Sequence, residues 1–148
     1  MPTKRHEIIQ PPGWTKPKGY SNGIRVAPGA AFVFVAGQVA WDERARIVGE
    51  DDFVEQFRQA LSNVLTVVRE AGGVPEDIVR LTIYVRDKER YVSSLSALTG
   101  VWRALMGRHY PVMALVEVSA LVEPGALLEI EGTAAIYSEE GRGEGGVS

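Results

Sequence analysis

Chemistry in this chain has to come from carboxylates, hydroxyls and cationic side chains, because its 148 residues include no cysteine and only two histidines. Without cysteine there is no thiol nucleophile, no thiolate zinc site and no disulfide. His6 and His109 lie too far apart in sequence to form a ligand-spaced pair, so no metal site is expected. The Gly72-Gly73 pair closes a helical pattern rather than opening one, which is the wrong context for a phosphate-cradling loop. Trp14, Trp41 and Trp102 could line a pocket, Trp41 being best placed because it follows a strand ending in Gly37-Gln38; ordinary packing accounts for all three as well. Glu117, Glu129 and Glu131 sit on β-patterned segments. Of these, Glu117 and Glu131 read as fold residues that pair with backbone amides or with arginines such as Arg80.

Composition narrows the partners. With 16 Lys and Arg against 19 Asp and Glu, the formal net charge is -3, which leaves no basic face able to neutralise many phosphates. No nucleic-acid partner is expected. The basic Lys4-Arg5-His6 start runs into Glu7 and Pro11-Pro12-Gly13 before a signal-like apolar stretch can form, and no segment approaches the roughly 20 continuous apolar residues of a membrane span. No membrane partner is expected either, and a cysteine-free chain suits the reducing cytoplasm. An apolar content of 45% is enough for one domain with a buried core.

The elements that would position a site follow from periodicity. Residues 1–18, rich in proline and lysine, read as an extended arm. Residues 22–26 and 31–36 are short β-rich runs around Pro28-Gly29 and read as a hairpin, with a further short strand near 46–48. From Asp51 to Ala71, Phe53, Phe57, Ala60, Leu61, Val64, Leu65 and Val68 recur at helical spacing, with Asp51 or Asp52 as cap and Gly72-Gly73 as stop. Residues 78–85 alternate, placing Val79, Leu81, Ile83 and Val85 on one face. A weaker helix is expected over 88–106 and strands over 113–119 and 127–136. The tail from 138 to 148 reads as disordered. The order β-β-β-α-β-α-β-β predicts an α+β domain over residues 19–137, with two helices on one face of a single mixed sheet. The opposite face is expected to carry Thr82, Tyr84, Met113, Leu115, Glu117, Leu127 and Glu129. That mixture is too apolar for water and too polar for a core, which points to subunit contact.

Several blocks then make a pattern: Gly19-Tyr20-Ser21, Val35-Ala36-Gly37-Gln38, Leu61-Ser62-Asn63-Val64-Leu65, Tyr84-Val85-Arg86-Asp87, Tyr110-Pro111 with Val116-Glu117-Val118, and Pro124-Gly125-Ala126-Leu127-Leu128-Glu129-Ile130-Glu131-Gly132. In this order and spacing, over roughly residues 8–136, the chain resembles the Rid (YjgF-type imine deaminase) family, whose older labels are endoribonuclease L-PSP and translation initiation inhibitor. The resemblance implies a chorismate-mutase-like fold, a homotrimer around a central barrel, and ligand clefts between subunits. It further implies hydrolysis of small imino or enamine acids to 2-oxo acids and ammonia without metal or organic cofactor.

Residue by residue, the resemblance assigns Glu129 as the carboxylate that activates water and Tyr20 as a cleft residue able to stack on and hydrogen-bond to a ligand. It also exposes three departures. Met113 stands where the family arginine would fork onto a substrate carboxylate, a contact methionine cannot make. Ala36 replaces a small hydroxyl residue before Gly37-Gln38, and Leu115 replaces a cysteine found in some members. Arg25, Arg86, Arg103 and Arg108 are not brought to the vacated position by any spacing. The sequence therefore supports a hydrolytic deaminase, or related hydrolase, with altered substrate preference and with Glu129, Tyr20, Ala36, Gly37, Met113 and Leu115 at its site. The alternative is a non-catalytic trimer that binds a metabolite or a protein, with Met113 and Leu115 plugging the cleft, Glu129 a structural carboxylate and Tyr20 a packing residue. A ribonuclease has no basic or histidine-rich cleft to support it.

Overall fold

The computed structural model describes residues 6–138, and the tail assigned to 138–148 lies outside them apart from Ser138. The elements are β1 (His6–Ile9), β2 (Gly23–Val26), β3 (Ala31–Gln38), α1 (Phe53–Glu70), β4 (Ile78–Val85), α2 (Lys88–Ser93), α3 (Leu95–Met106), β5 (Val112–Glu117) and β6 (Leu128–Ile136). Strands β3-β6-β4-β5 form a mixed four-stranded sheet in that order, antiparallel except for the parallel β4–β5 pair. This is the α+β fold expected.

Helix α1 begins where the Asp52 side chain accepts the amide hydrogen of Glu55 at 3.1 Å, and ends before Gly72, which takes φ +88°. Its apolar stripe, Phe53, Phe57, Leu61, Val64, Leu65 and Val68, is fully buried against Leu81 and Ile83 of β4 and Leu128 and Ile130 of β6. Burying each such side chain contributes about 1.5–3 kcal/mol. Gln56 lies within the same buried stripe at 0% exposure. It donates to the carbonyls of Gly49 and Gly125, both at 3.0 Å, and accepts the Leu127 amide at 2.9 Å.

Four local expectations differ from what is observed. Residues 6–9 are a strand, not an irregular arm, and pair antiparallel with β2 from His6↔Val26 to Ile9↔Gly23. Consequently β2 does not form a hairpin with β3, although Pro28-Gly29 has hairpin-turn chemistry; β3 pairs with β6 instead. The segment near 46–48 contributes a single bridge, Trp41↔Ile47, around a turn in which Asp42 accepts the amides of Arg44 (2.8 Å) and Arg46 (3.0 Å). These amides hold the Asp42 carboxyl below its ordinary pKa. The helix expected over 88–106 is two helices that meet at Ser94.

The faces of the sheet also need correction. β5 runs parallel to β4 in the register Leu81↔Met113, Ile83↔Leu115 and Val85↔Glu117. Paired residues share a face, so Met113, Leu115 and Glu117 lie on the helix side, and Val112, Ala114 and Val116 join Thr82 and Tyr84 on the open face. Glu117 accepts the Lys88 amide at 3.0 Å at the start of α2. Leu127 packs against the core. Of the residues expected on the open face, Thr82, Tyr84 and Glu129 are there.

Candidate functional site

The six sequence-derived site residues separate into two groups on opposite faces of the sheet. Tyr20, Met113 and Leu115 form the first. Ser21 ties the loop carrying Tyr20 to the start of β5: its hydroxyl donates to the Tyr110 carbonyl at 2.6 Å and its amide to the Pro111 carbonyl at 3.1 Å. Tyr20 thereby joins Met113 and Leu115 on the wall of a cavity of about 660 Å³ between α1, α3 and β5. The rest of the wall is largely aromatic and aliphatic, including Phe57, Tyr91, Leu98, Trp102 and Tyr110. Met113 and Leu115 are half-buried and leave this space open rather than filling it. Its size falls within the range of small-molecule sites.

Two rigid contacts shape that wall. The indole of Trp102 donates to the His109 carbonyl at 3.1 Å and stacks on Tyr110, with ring centroids 6.2 Å apart and planes 5° apart. His109 donates from Nε2 to the Ile78 carbonyl at 2.6 Å, fixing the turn between α3 and β5. Burial pushes the Tyr91 phenol above its ordinary pKa, which keeps it a neutral donor. Among the described residues no arginine lines the cavity, and the one charged residue on its wall is Lys18.

Ala36, Gly37 and Glu129 form the second group. Between Val35↔Gly132 and Gln38↔Ile130, β3 spends one residue more than β6, a β-bulge centred on Ala36-Gly37. The bulge lays the β3 backbone against the Glu129 carboxylate: a β-carbon built on Gly37 would overlap Oε1 of Glu129 and stand 2.8 Å from its carboxyl carbon. Glycine is therefore required here for close approach. The half-buried Glu129 carboxylate makes no hydrogen bond or ion pair among the described residues. On the far side of the bulge, Asn63 donates to the carbonyls of Val39 (3.1 Å) and Trp41 (2.9 Å), and Gln59 to that of Trp41 (3.3 Å), so α1 holds the end of the strand.

Beside Glu129 in the register, Tyr84 donates its hydroxyl to Glu131 at 2.6 Å. That bond, then desolvation and the charges of Glu131 and Glu129, hold the Tyr84 phenol above its ordinary pKa. Glu131 is thus committed to Tyr84, whereas Glu129 is unpaired among the described residues.

Trp41, the tryptophan the sequence favoured for a pocket, instead donates to Gln38 at 3.3 Å, and Trp102 takes the pocket position. Sequence reasoning missed Lys18, Tyr91 and Tyr110 as pocket residues. Their signal was faint: Lys18 adjoins the Gly19-Tyr20-Ser21 block and Tyr110 belongs to the Tyr110-Pro111 block, but nothing in their spacing says that they converge. Among the described residues no group of three or more His, Cys, Asp or Glu could hold a metal ion, and no helix is long and apolar enough to cross a membrane.

Residues 15–136 match the sequence model of the family described as Endoribonuclease L-PSP. A RutC family protein of Pyrococcus abyssi is 31% identical over 129 residues, covering 86% of this chain and 95% of that protein. Among solved structures, YyfB of Yersinia pestis, described as a protein of unknown function of the conserved Rid family, is 31% identical. It covers 89% of this chain and 99% of its own with a TM-score of 0.78. A Mycobacterium tuberculosis member of the YjgF/YER057c/UK114 family is 35% identical, with a TM-score of 0.57 over 80% of this chain and 87% of that one. Sequence blocks, sheet order and these relatives converge: the chain belongs to the Rid (YjgF, endoribonuclease L-PSP) family.

Proposed function

We propose that this protein is a hydrolytic deaminase of small imines or enamines, working without a cofactor in a cleft shared between two copies of the chain. The observation that carries this reading is Glu129: a half-buried carboxylate, unpaired among the described residues, laid across a glycine at a bulge. A carboxylate kept free of partners in such a place is available to accept a proton. Its neighbour Glu131 already has a donor and is not.

The assembly follows from the split site. Tyr20, Met113 and Leu115 face the helix side and Glu129 and Gly37 the other, so a ligand touching both groups has to lie between two molecules. Self-association is further supported by the open face, where Phe32 and Phe34 are 56% and 79% exposed and stack on each other at 6.4 Å. A closed trimer would cover these rings and bring the two half-sites together.

In the reaction, Glu129 takes a proton from water as the water oxygen bonds to the imine carbon and the C=N π electrons move to nitrogen. The nitrogen of the adduct takes that proton back from Glu129 and a second one from solvent; the hydroxyl proton then passes to the freed Glu129 carboxylate as the C–N bond breaks to give the carbonyl compound and ammonia, and Glu129 returns its proton to solvent. Met113 offers no fork for a carboxylate, so recognition shifts to apolar contact in the cavity. The space that Met113 and Leu115 leave open argues against a plugged cleft, the form in which the binding-only reading was expected.

The test is ammonia and 2-oxo acid release from freshly generated 2-imino acids. Wild type is expected to be active and Glu129→Ala to lose about 100-fold or more, the scale of general-base catalysis. Met113→Arg is expected to raise kcat/KM for 2-iminopropanoate, a three-carbon acid. Inert wild-type protein across the series would overturn the deaminase reading.

A further inference from the structure

The aromatic cavity holds one unbalanced charge. Among the described residues that line it, Lys18 is the one with a charged side chain, and none of the others is a carboxylate. Lys18 has no ion-pair partner among the described residues, whereas Arg25, Arg46, Arg58 and Arg90 are each paired with Glu7, Asp42, Glu55 and Asp51. The hydroxyls of Tyr20, Tyr91 and Tyr110 likewise make no hydrogen bond among the described residues. The cavity thus offers a cation and phenol donors at the rim of an apolar space.

We propose that this cavity binds an aromatic monocarboxylate, with the ring among Tyr91, Trp102 and Met113 and the carboxylate on Lys18. The inference rests on the reading of this cleft as a substrate site and adds to it the substrate class and a specificity-determining residue. Three arguments carry it. About 660 Å³ is more room than a three-carbon acid fills, and an apolar wall left wet is unfavourable, so the ligand must bring apolar bulk. Within one copy of the chain no carboxylate of the wall offsets Lys18, so a cationic ligand gains nothing there, whereas an anion gains a partner. Lysine is a point charge on a flexible stem and cannot orient a carboxylate as a guanidinium fork does, so orientation must come from packing of a flat ring against rigid aromatic walls.

The experiment is calorimetric titration of the full chain with 3-phenylpropanoate, its neutral amide 3-phenylpropanamide, and propanoate. Wild type is expected to bind 3-phenylpropanoate about 3- to 10-fold more tightly than the amide, the range of a partly exposed ion pair, and propanoate more weakly than either. Lys18→Ala should remove the preference for the acid over the amide, and Lys18→Arg should restore it. Lys18 is exposed, so neither change threatens the fold. Leu95→Trp, at a rim position 46% exposed, should block both aromatic probes. Equal binding of acid and amide by wild type, an unchanged Kd in Lys18→Ala, or unimpaired binding by Leu95→Trp would each overturn the proposal. Because these probes undergo no reaction, the two readings fail separately. Lys18-dependent binding by a protein inert toward imines leaves this inference standing without the deaminase. Imine hydrolysis with no Lys18 dependence does the reverse.

Discussion

Replacing Gln56 with leucine should destabilise the protein by about 1–3 kcal/mol, although the two side chains are similar in size. The amide of Gln56 is fully buried and serves three backbone groups: the carbonyls of Gly49 and Gly125 and the amide of Leu127. Leucine fills the space and serves none of them. Gly125 is exposed, so its carbonyl recovers a water, and the Gly49 carbonyl keeps the Asp52 amide at 3.0 Å; the half-buried Leu127 amide is left without a partner, at a cost of about 1–3 kcal/mol. For a chain of this length that corresponds to a fall in Tm of roughly 2–12 °C. Urea denaturation followed by circular dichroism, at one protein concentration because assembly contributes to stability, measures it directly. The same substitution should lower kcat in the folded fraction, since Leu127 sets where β6 begins and Glu129 lies two residues on. A loss below 1 kcal/mol would refute the claim that one glutamine ties both loops to α1.

Two further outcomes follow from the geometry. Gly37→Ala should retain the fold yet reduce imine hydrolysis by about 10-fold or more, chiefly in kcat, because the added methyl occupies the place of the Glu129 carboxylate; steady-state kinetics on the purified variant checks this, and full activity would remove Glu129 from the reaction. Tyr84 should ionise late on alkaline titration, and Glu131→Gln should bring it back toward the usual value of about 10, as read from ring-carbon NMR shifts. Because folding raises the Tyr84 pKa, its contribution to stability is complete below the unfolded value and is lost as pH rises through the folded one. The Glu131→Gln variant should therefore lose less stability than wild type in that window.

Much of the scaffold was legible because burial leaves a periodic trace. Helix α1 and strand β4 each have one apolar and one polar side, and both occur where the pattern places them. Strand β5 has no such contrast: Val112, Met113, Ala114, Leu115 and Val116 are apolar on both sides, so its facing is decided by its register with β4, and its inner and outer sets were exchanged. The β1–β2 pairing was hidden for another reason. It joins segments across a proline-rich stretch, and local turn chemistry at Pro28-Gly29 advertised a different partner. Of the site, the Gly37–Glu129 approach was prefigured by two recognisable blocks, but the convergence of Lys18, Tyr91 and Tyr110 depends on three segments folding onto one cavity, which no local spacing encodes.

The bulge in β3 has a further consequence, visible by counting. From Val35 to Gln38 the strand advances three positions while its partner advances two, from Gly132 to Ile130. A chain one residue shorter at this point would run as a regular ladder with the pairings on both sides intact, so the sheet itself has no use for the extra residue. It is surplus to folding, and what it adds is a backbone displaced across a carboxylate. A deletion there makes folding and activity separable: the shortened protein should assemble the same sheet and lose only the place where Glu129 meets Gly37.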